Sequence, residues 1–237
     1  MYTYLYRYIF PLRFNERGFF MSIFSFWSEE AGSFLLTPIG NAVFIILILA
    51  LLIIAAKLSS KNEKFSAKRL AFCAIAMALA TVTSFIKFVD LPMGGSLTLF
   101  SMFFICFTGY LYGAKTGIIT GVAYGLLQLI IDPYIVHPAQ LIIDYPLAFG
   151  ALGLAGIFSN AKNGLIKGTL LGTFGRYICH VVTGYIFFGI YAPEGMNAMV
   201  YSLTYNATYI LPELILTVIV LSVPTVKNAL NTVKNMA

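Results

Sequence analysis

Seven apolar stretches, each close to the length a helix needs to cross a bilayer, follow one another at about 34–56, 68–89, 96–113, 116–132, 138–158, 165–190 and 198–224. A spanning helix takes about 20 mostly apolar residues, and backbone polar groups in hydrocarbon must bond within their own segment. The composition leaves little else open. The chain is 59% hydrophobic and 10% charged, with a mean hydropathy of +0.87, whereas soluble domains carry about 25% charged residues. Such a chain cannot cover itself with polar surface, so its surroundings are a lipid bilayer and not a nucleic acid. A transmembrane β-barrel would show shorter segments of alternating polarity. The expectation is an all-α integral membrane protein.

The placement of the basic residues orients it. Lys57, Lys61, Lys64, Lys68 and Arg69 lie between the first two stretches, Lys115 after the third, Lys162 and Lys167 after the fifth, and Lys227 and Lys234 after the seventh. Cytoplasmic loops collect Lys and Arg, and seven crossings put all these regions, and the C-terminus, on the cytoplasmic side. The opposite loops, 87–95, 133–137 and 191–197, carry Asp90 and Glu194 beside Lys87, with Asp132 at a margin. Arg7, Arg13 and Arg17 fit this pattern less well. Residues 1–20 show neither the apolar core nor the cleavage site of a signal peptide. Met21 opens "MSIFSFWSEEAGS", which makes 1–20 readable as a misassigned start within an N-terminal extension, 1–33.

"KLSSKNEKFSAKR" (57–69) is the one long polar stretch. It reads as a cytoplasmic linker between an extra transmembrane helix, 34–56, and a compact six-helix domain, 67–225, with a cytoplasmic tail at 226–237. Gly109, Gly113, Gly117, Gly121 and Gly125 recur every four residues, as do Gly164, Gly168 and Gly172. Such stripes let membrane helices approach closely, here within the domain. A second stripe, Ala67, Ala71, Ala74 and Ala78 with Ala76 and Ala80, is a candidate face for another membrane protein. Cys73, Cys106 and Cys179 stand alone in apolar runs, with neither metal-ligand nor disulfide spacing. No metal or cofactor is expected.

Polar residues inside the apolar stretches carry the functional signal, because a buried charge in a bilayer is costly. At a rise of 1.5 Å per residue from the outer ends, Asp144 lies about 9 Å deep, His180 about 15 Å and Asn206 about 12 Å. Three polar side chains on three helices at one level suggest a pocket open to the outside. Tyr145, Phe188, Tyr191, Tyr201, Tyr205 and Tyr209 lie at neighbouring depths as aromatic walls. His137, Gln140 and Asp144, spaced i, i+3, i+7, share a helix face, as do Arg176 and His180. Arg176 and Glu213 reach about the same greater depth, roughly 21–22 Å, and are expected to form a structural ion pair. That leaves Asp144 to a cationic ligand, or to His180 if protonated. The turn-rich "VDLPMGGS" (89–96) can fold over such a pocket as a lid.

Five stretches, "LPMGGSLTL", "YGAKTGIITGVAYGLLQ", "HPAQLIIDYPLAFGALGLAGIF", "GRYICHVVTGYIFFGIYAPEGM" and "VYSLTYNATYILPE", taken in order over about 67–225, resemble the thiamine-specific substrate-binding membrane subunits of energy-coupling factor transporters. The resemblance implies a non-enzymatic vitamin-capture subunit. It would bind thiamine outside while docked to a transmembrane coupling subunit and two cytoplasmic ATPases. In that family an acidic residue followed by tyrosine contacts the ligand, matching Asp144 and Tyr145, with aspartate where some relatives have glutamate. A histidine matches His180, and an aromatic eight residues on, often tryptophan, is Phe188 here. A tyrosine and an asparagine of the last helix match Tyr201 and Asn206. The small-residue stripe of the family's coupling helix matches Ala74 and Ala78. The helix at 34–56 is outside the family pattern. The residues agree with the ligand's chemistry: a carboxylate answers the cationic thiazolium, aromatics stack on flat rings, and Gln140, His180 and Asn206 supply hydrogen bonds.

Two other readings stay open at this level. The same fold could bind a thiamine precursor or another vitamin, although a neutral ligand needs no buried carboxylate. An intramembrane enzyme is disfavoured, since the chain has no Gly-x-Ser-x-Gly, no His-Glu-x-x-His and no nucleotide-binding loop.

Overall fold

The computed structural model describes residues 66–236 continuously, together with 25–28, 33–40, 42–43 and 46. Near its start, β1 (Ser25–Ser28) pairs antiparallel with β2 (Ser33–Leu36), Ser25 facing Leu36 and Ser28 facing Ser33. Residues 34–36 are therefore strand and not the opening of a spanning helix. Helix begins at Pro38, where the Gly40 amide donates to Thr37 Oγ1 at 3.1 Å, an N-cap followed by proline at the first helical position. Residues 1–24, most of the expected span 34–56 and most of the linker 57–69 lie outside the described residues.

The main body opens with α1 (Ala67–Ser84), capped by the Ser66 hydroxyl accepting from Arg69 N. Cys73, Ala76 and Ala80 are its buried residues, spaced for one helix face, while Ala71, Ala74 and Ala78 are exposed. The apolar run to 89 suggested a longer helix. Instead β3 (Lys87–Asp90) and β4 (Ser96–Thr98) form a hairpin, Val89 opposite Leu97 and Asp90 opposite Ser96. Its turn uses positive φ at Met93 and Gly94, a conformation glycine adopts without cost.

Five further helices follow: α2 (Ser101–Tyr112), α3 (Ala114–Ile131), α4 (Pro138–Phe158), α5 (Gly164–Phe187) and α6 (Ala198–Ser222). The expected tail is itself helical, α7 (Pro224–Met236). Helices α1, α3, α4 and α6 are long and apolar enough to cross a membrane, and α2 is a shorter apolar helix. Ile75, Phe174, Ile215 and Ile219 are more than half exposed, as lipid-facing side chains are.

The glycines set how closely these helices pack. A β-carbon at Gly121 or Gly125 of α3 would run into the Phe149 or Tyr145 carbonyl of α4. On α5, Gly168 and Gly172 meet the backbone of Ala155 and Leu152 in the same way. Apart from Gly113, where an added β-carbon would meet nothing, the four-residue stripes are thus internal contacts. Between the helices lies a core containing Ile105, Tyr124, Leu129, Leu152 and Ile210. Tyr124 reaches across to donate to the Ala80 carbonyl at 3.1 Å.

Candidate functional site

Pro146 disturbs α4 where it matters. Proline has no N–H to donate and its ring crowds the preceding turn, and residues Ile143–Leu147 wind as a π turn. Widened turns of this kind are frequent at functional sites. This one turns both Asp144 and Tyr145 inward, 8% and 9% exposed.

Asp144 is well supplied with donors. Its Oδ1 accepts from Thr183 Oγ1 at 2.6 Å and lies 2.9 Å from His180 Nδ1, and its Oδ2 accepts from Gln140 Nε2 at 2.8 Å. His180 Nε2 in turn accepts from Arg176 Nε at 3.3 Å, so the ring proton sits on Nδ1 and points at the carboxylate. The bridge needs no protonated imidazole. A carboxylate offers about four acceptor positions, and one on Oδ2 is left over.

Neighbouring polar groups are held by the fold. Gln140 also donates to the Tyr134 carbonyl at 3.0 Å and accepts from Val136 N at 3.2 Å, so it ties the α3–α4 loop to Asp144. The Tyr145 hydroxyl accepts from Tyr134 N at 2.7 Å and donates to the Asp132 carbonyl at 3.1 Å. Asn206 donates to the His180 carbonyl at 3.1 Å and to Ser202 O at 2.8 Å, and accepts from Tyr209 at 2.7 Å. It joins α5 to α6. His137 departs from its expected place: it caps α4, accepting from Ala139 N, and stacks on Phe187 at 4.9 Å.

These residues surround a cavity of about 370 Å³ whose lining includes Gln140, Asp144, Tyr145, His180, Phe188, Tyr201 and Asn206. The structure therefore brings together all seven residues expected at a ligand site. Tyr201, Tyr205 and Tyr209 form a ladder with centroids 5.8 and 5.9 Å apart, and Phe188 lies 6.0 Å from Tyr134. The β3–β4 turn covers the cavity with Met93, Gly94 and Gly95. Gly95 N donates to the Tyr205 hydroxyl at 3.1 Å, that hydroxyl donates to Pro92 O, and the Tyr201 hydroxyl lies 3.3 Å from Met93 Sδ. At the start of the hairpin, Lys87 pairs with Asp132 at 2.9 Å and Asp90 at 3.2 Å. Burial pulls the Lys87 ammonium down, but its bonds to Asp132 and Asp90 outweigh this and hold it above its ordinary value.

The expected ion pair is not there. Arg176 and Glu213 make no salt bridge with each other. Glu213 accepts from Thr98 Oγ1 at 2.8 Å, Ser101 Oγ at 3.2 Å and Met102 N at 3.1 Å, so its carboxyl group sits at the start of α2. Arg176 instead lies 4.2 Å over the Phe149 ring and lines the cavity. Similar depth left the two close enough to feel each other's charge but did not bring them into contact, because depth leaves the rotation of each helix unspecified. Thr183 was not anticipated. Its spacing of three from His180 was the available signal. Ala74 and Ala78 lie outside the cavity lining, on the exposed side of α1.

A bundle of apolar helices around a pocket, part aromatic and part carboxylate, defines a multi-pass membrane protein with a site for a small molecule. The relatives specify which. Residues 70–232 match the model of the thiamine transporter protein family (Thia_YuaJ). The chain is 35% identical over 176 residues to the thiamine transporter ThiT of Bacillus subtilis (strain 168), covering 68% of this chain and 91% of that one. It is 36% identical over 120 residues to ThiT of Lacticaseibacillus paracasei, covering 44% and 60%. A solved structure of ThiT from Listeria monocytogenes superposes with a TM-score of 0.56 at 29% identity, covering 67% of this chain and 96% of that one. The chain belongs to the thiamine transporter protein family, as the sequence resemblance implied, and is a membrane transport protein.

Proposed function

We propose that the chain binds thiamine in this cavity from the outer side of the cell membrane, as the substrate-binding subunit of an energy-coupling factor importer. The observation that carries the reading is Asp144: a carboxylate 8% exposed, with an acceptor position to spare, in an aromatic-walled cavity. Asp144 is the counter-charge to the thiazolium, Phe188, Tyr145 and Tyr201 stack on or enclose the rings, and His180, Asn206 and Gln140 fix the polar groups around them. Family membership supports the choice of thiamine.

In this reading helices α1–α6 are the six spans of the vitamin-binding domain, 67–225. The helix beginning at 38 is an extra span within 34–56, and the C-terminus is cytoplasmic. The exposed Ala74 and Ala78 face the transmembrane coupling subunit, which two cytoplasmic ATPases drive. Their support is position and exposure: small residues on an outward helix face permit close approach.

The experiment is calorimetric titration of the purified chain with thiamine, its aminopyrimidine precursor and riboflavin, after identifying any small molecule that co-purifies. Thiamine is expected to bind most tightly. Tighter binding of the neutral pyrimidine would show that the thiazolium charge is not what Asp144 recognises.

A further inference from the structure

The end of the bundle opposite the pocket has a second cavity, which the thiamine reading does not use. There α7 folds back over the loop that joins α4 to α5. Lys227 Nζ donates to Asn163 Oδ1 at 3.0 Å, and Lys234 donates to Ser159 O with its Nζ 4.0 Å over the Tyr110 ring. Lys68 donates to the Met236 carbonyl, closing the strap onto α1. Along α7, Val226, Leu230 and Val233 are half-buried while Asn228, Asn231 and Asn235 are exposed, the one-sided pattern of a helix lying along a surface.

The cavity between α7, the start of α5 and the end of α6 holds about 290 Å³. Leu165, Ile166, Leu221 and Leu230 line it together with Lys162 and Lys227, both of which are exposed. Neither lysine has a carboxylate partner among the described residues. The described acids lie elsewhere: Asp90 and Asp132 pair with Lys87, Asp144 lines the thiamine pocket, Glu194 is in the α5–α6 loop and Glu213 caps α2. Lys162, Lys167, Lys227 and Lys234 thus share this end with no described acid to offset them.

The leucine and isoleucine side chains would suit an acyl chain, and the two lysines would suit a phosphate. A free anion would leave the leucine and isoleucine side chains exposed to water, and a zwitterionic headgroup would bring its own cation against the lysines. We propose that this cavity is a headgroup site for an acidic phospholipid, which fixes α7 against the membrane surface. That the leaflet is the cytoplasmic one rests on the orientation proposed above. The cavity itself does not depend on thiamine being the ligand.

The test uses the full chain in detergent, with native mass spectrometry and thermal melts, adding phosphatidylglycerol, phosphatidylcholine or inorganic phosphate. Two lysines near an anionic headgroup are expected to give a preference of about 30-fold for phosphatidylglycerol over phosphatidylcholine, together with a raised melting temperature. The double variant Lys162→Gln, Lys227→Gln should lose both effects. Lys162→Gln alone, which breaks no described hydrogen bond, should cut the preference about five-fold. Lys115→Gln with Lys167→Gln removes the same charge at the same end outside the cavity, and should keep the preference. Equal retention of both lipids overturns the proposal. So does equal loss in the two double variants, which would make the effect diffuse charge, or full replacement of the lipid by inorganic phosphate, which would make it a free-anion site. Thiamine titration of the same samples is expected to be unchanged throughout. Its failure in all of them would count against the pocket reading and leave the lipid result standing.

Discussion

His180 Nδ1 sits 2.9 Å from Asp144 Oδ1, a bond that joins the middle of α5 to the π turn of α4. Arg176, one turn along α5, donates to the other ring nitrogen. The imidazole therefore relays between a guanidinium and a carboxylate. Asp144 is thus not left to a ligand cation alone: its carboxylate is already bound by Gln140, His180 and Thr183, and of the two partners the sequence offered, His180 is one.

That changes what Asp144→Asn should do. The amide keeps the shape but replaces one acceptor with a donor, which must face either Gln140 or the Thr183–His180 pair. A donor left unpaired in a buried site costs about 1–3 kcal/mol, so the empty variant is expected to melt below wild type. Thiamine affinity should fall as well. Truncating one partner of a desolvated charge pair costs about 2–5 kcal/mol, or roughly 30-fold to several thousand-fold. Calorimetric titration checks the affinity, and unchanged affinity would remove Asp144 from the site.

Thr183→Val separates support from recognition. Valine fills the same space and deletes only the hydroxyl that donates to Asp144 at 2.6 Å. The carboxylate keeps its charge but loses one of its donors, at a cost of about 1–3 kcal/mol. The empty protein is expected to lose stability by that amount, while thiamine affinity falls less than in Asp144→Asn. A variant with wild-type melting behaviour would show that the hydroxyl does not hold the carboxylate.

How much of this was readable beforehand depended on what each residue's signal encodes. The apolar runs located the helices, and their polar interruptions, Asp144, His180 and Asn206, located the pocket, because burial of such groups in hydrocarbon demands a reason. Helix ends were less legible. The run 68–89 is apolar to its end, and nothing in hydropathy shows that residues 87–90 leave the helix to form a hairpin. Arg176 and Glu213 show a second limit: equal depth places two residues in one slab of membrane but does not bring their side chains into contact. The partners of Asp144 needed the rotation of α5 and the winding of α4, and Pro146 alone hinted at the latter.

Ala74 and Ala78 lie on the exposed face of α1, away from the buried Cys73, Ala76 and Ala80. Replacing both with leucine adds bulk where nothing inside the protein is touched. Thiamine binding by the isolated chain should persist, and uptake by cells should fall, because close helix approach at that face is blocked. Equal loss of binding and uptake would place these alanines in the protein's own packing.

Gly125→Ala and Gly150→Ala test the α3–α4 contact from its two sides. A methyl on Gly125 meets the Tyr145 carbonyl and, at 3.1 Å, the Pro146 α-carbon, all backbone. On Gly150 it meets first the Val122 Cγ2 at 3.0 Å, a side chain that can rotate away. Overpacking against fixed backbone costs about 1–3 kcal/mol. Gly125→Ala is expected to lower the melting temperature and, by displacing the π turn that aims Asp144, to weaken thiamine binding. Gly150→Ala should do much less of both. Similar melts for the two variants would mean that α3 and α4 can separate freely at Tyr145.

Lys87 anchors the hairpin over the pocket, bridging Asp132 at the end of α3 and Asp90 on its own strand. Its side chain is 29% exposed and that of Asp132 65%, and exposed pairs contribute about 0.2–1 kcal/mol. Lys87→Met should therefore leave the fold intact. If opening of the hairpin limits release, thiamine dissociation should speed up by about five-fold at most. Salt should bring wild type toward the variant's rate, since it screens exposed charges. The pH dependence follows from the raised proton affinity of Lys87. A cation whose folded-state value lies above its unfolded one gives its full contribution below the unfolded value and loses it as pH rises through the folded one. The lysine side of the anchor should thus hold across neutral pH and fail only above the ordinary lysine range. The measurement is the rate at which excess unlabelled thiamine displaces labelled thiamine from the purified protein, at low and high salt. Identical rates for Lys87→Met and wild type at low salt would show that the hairpin does not control release.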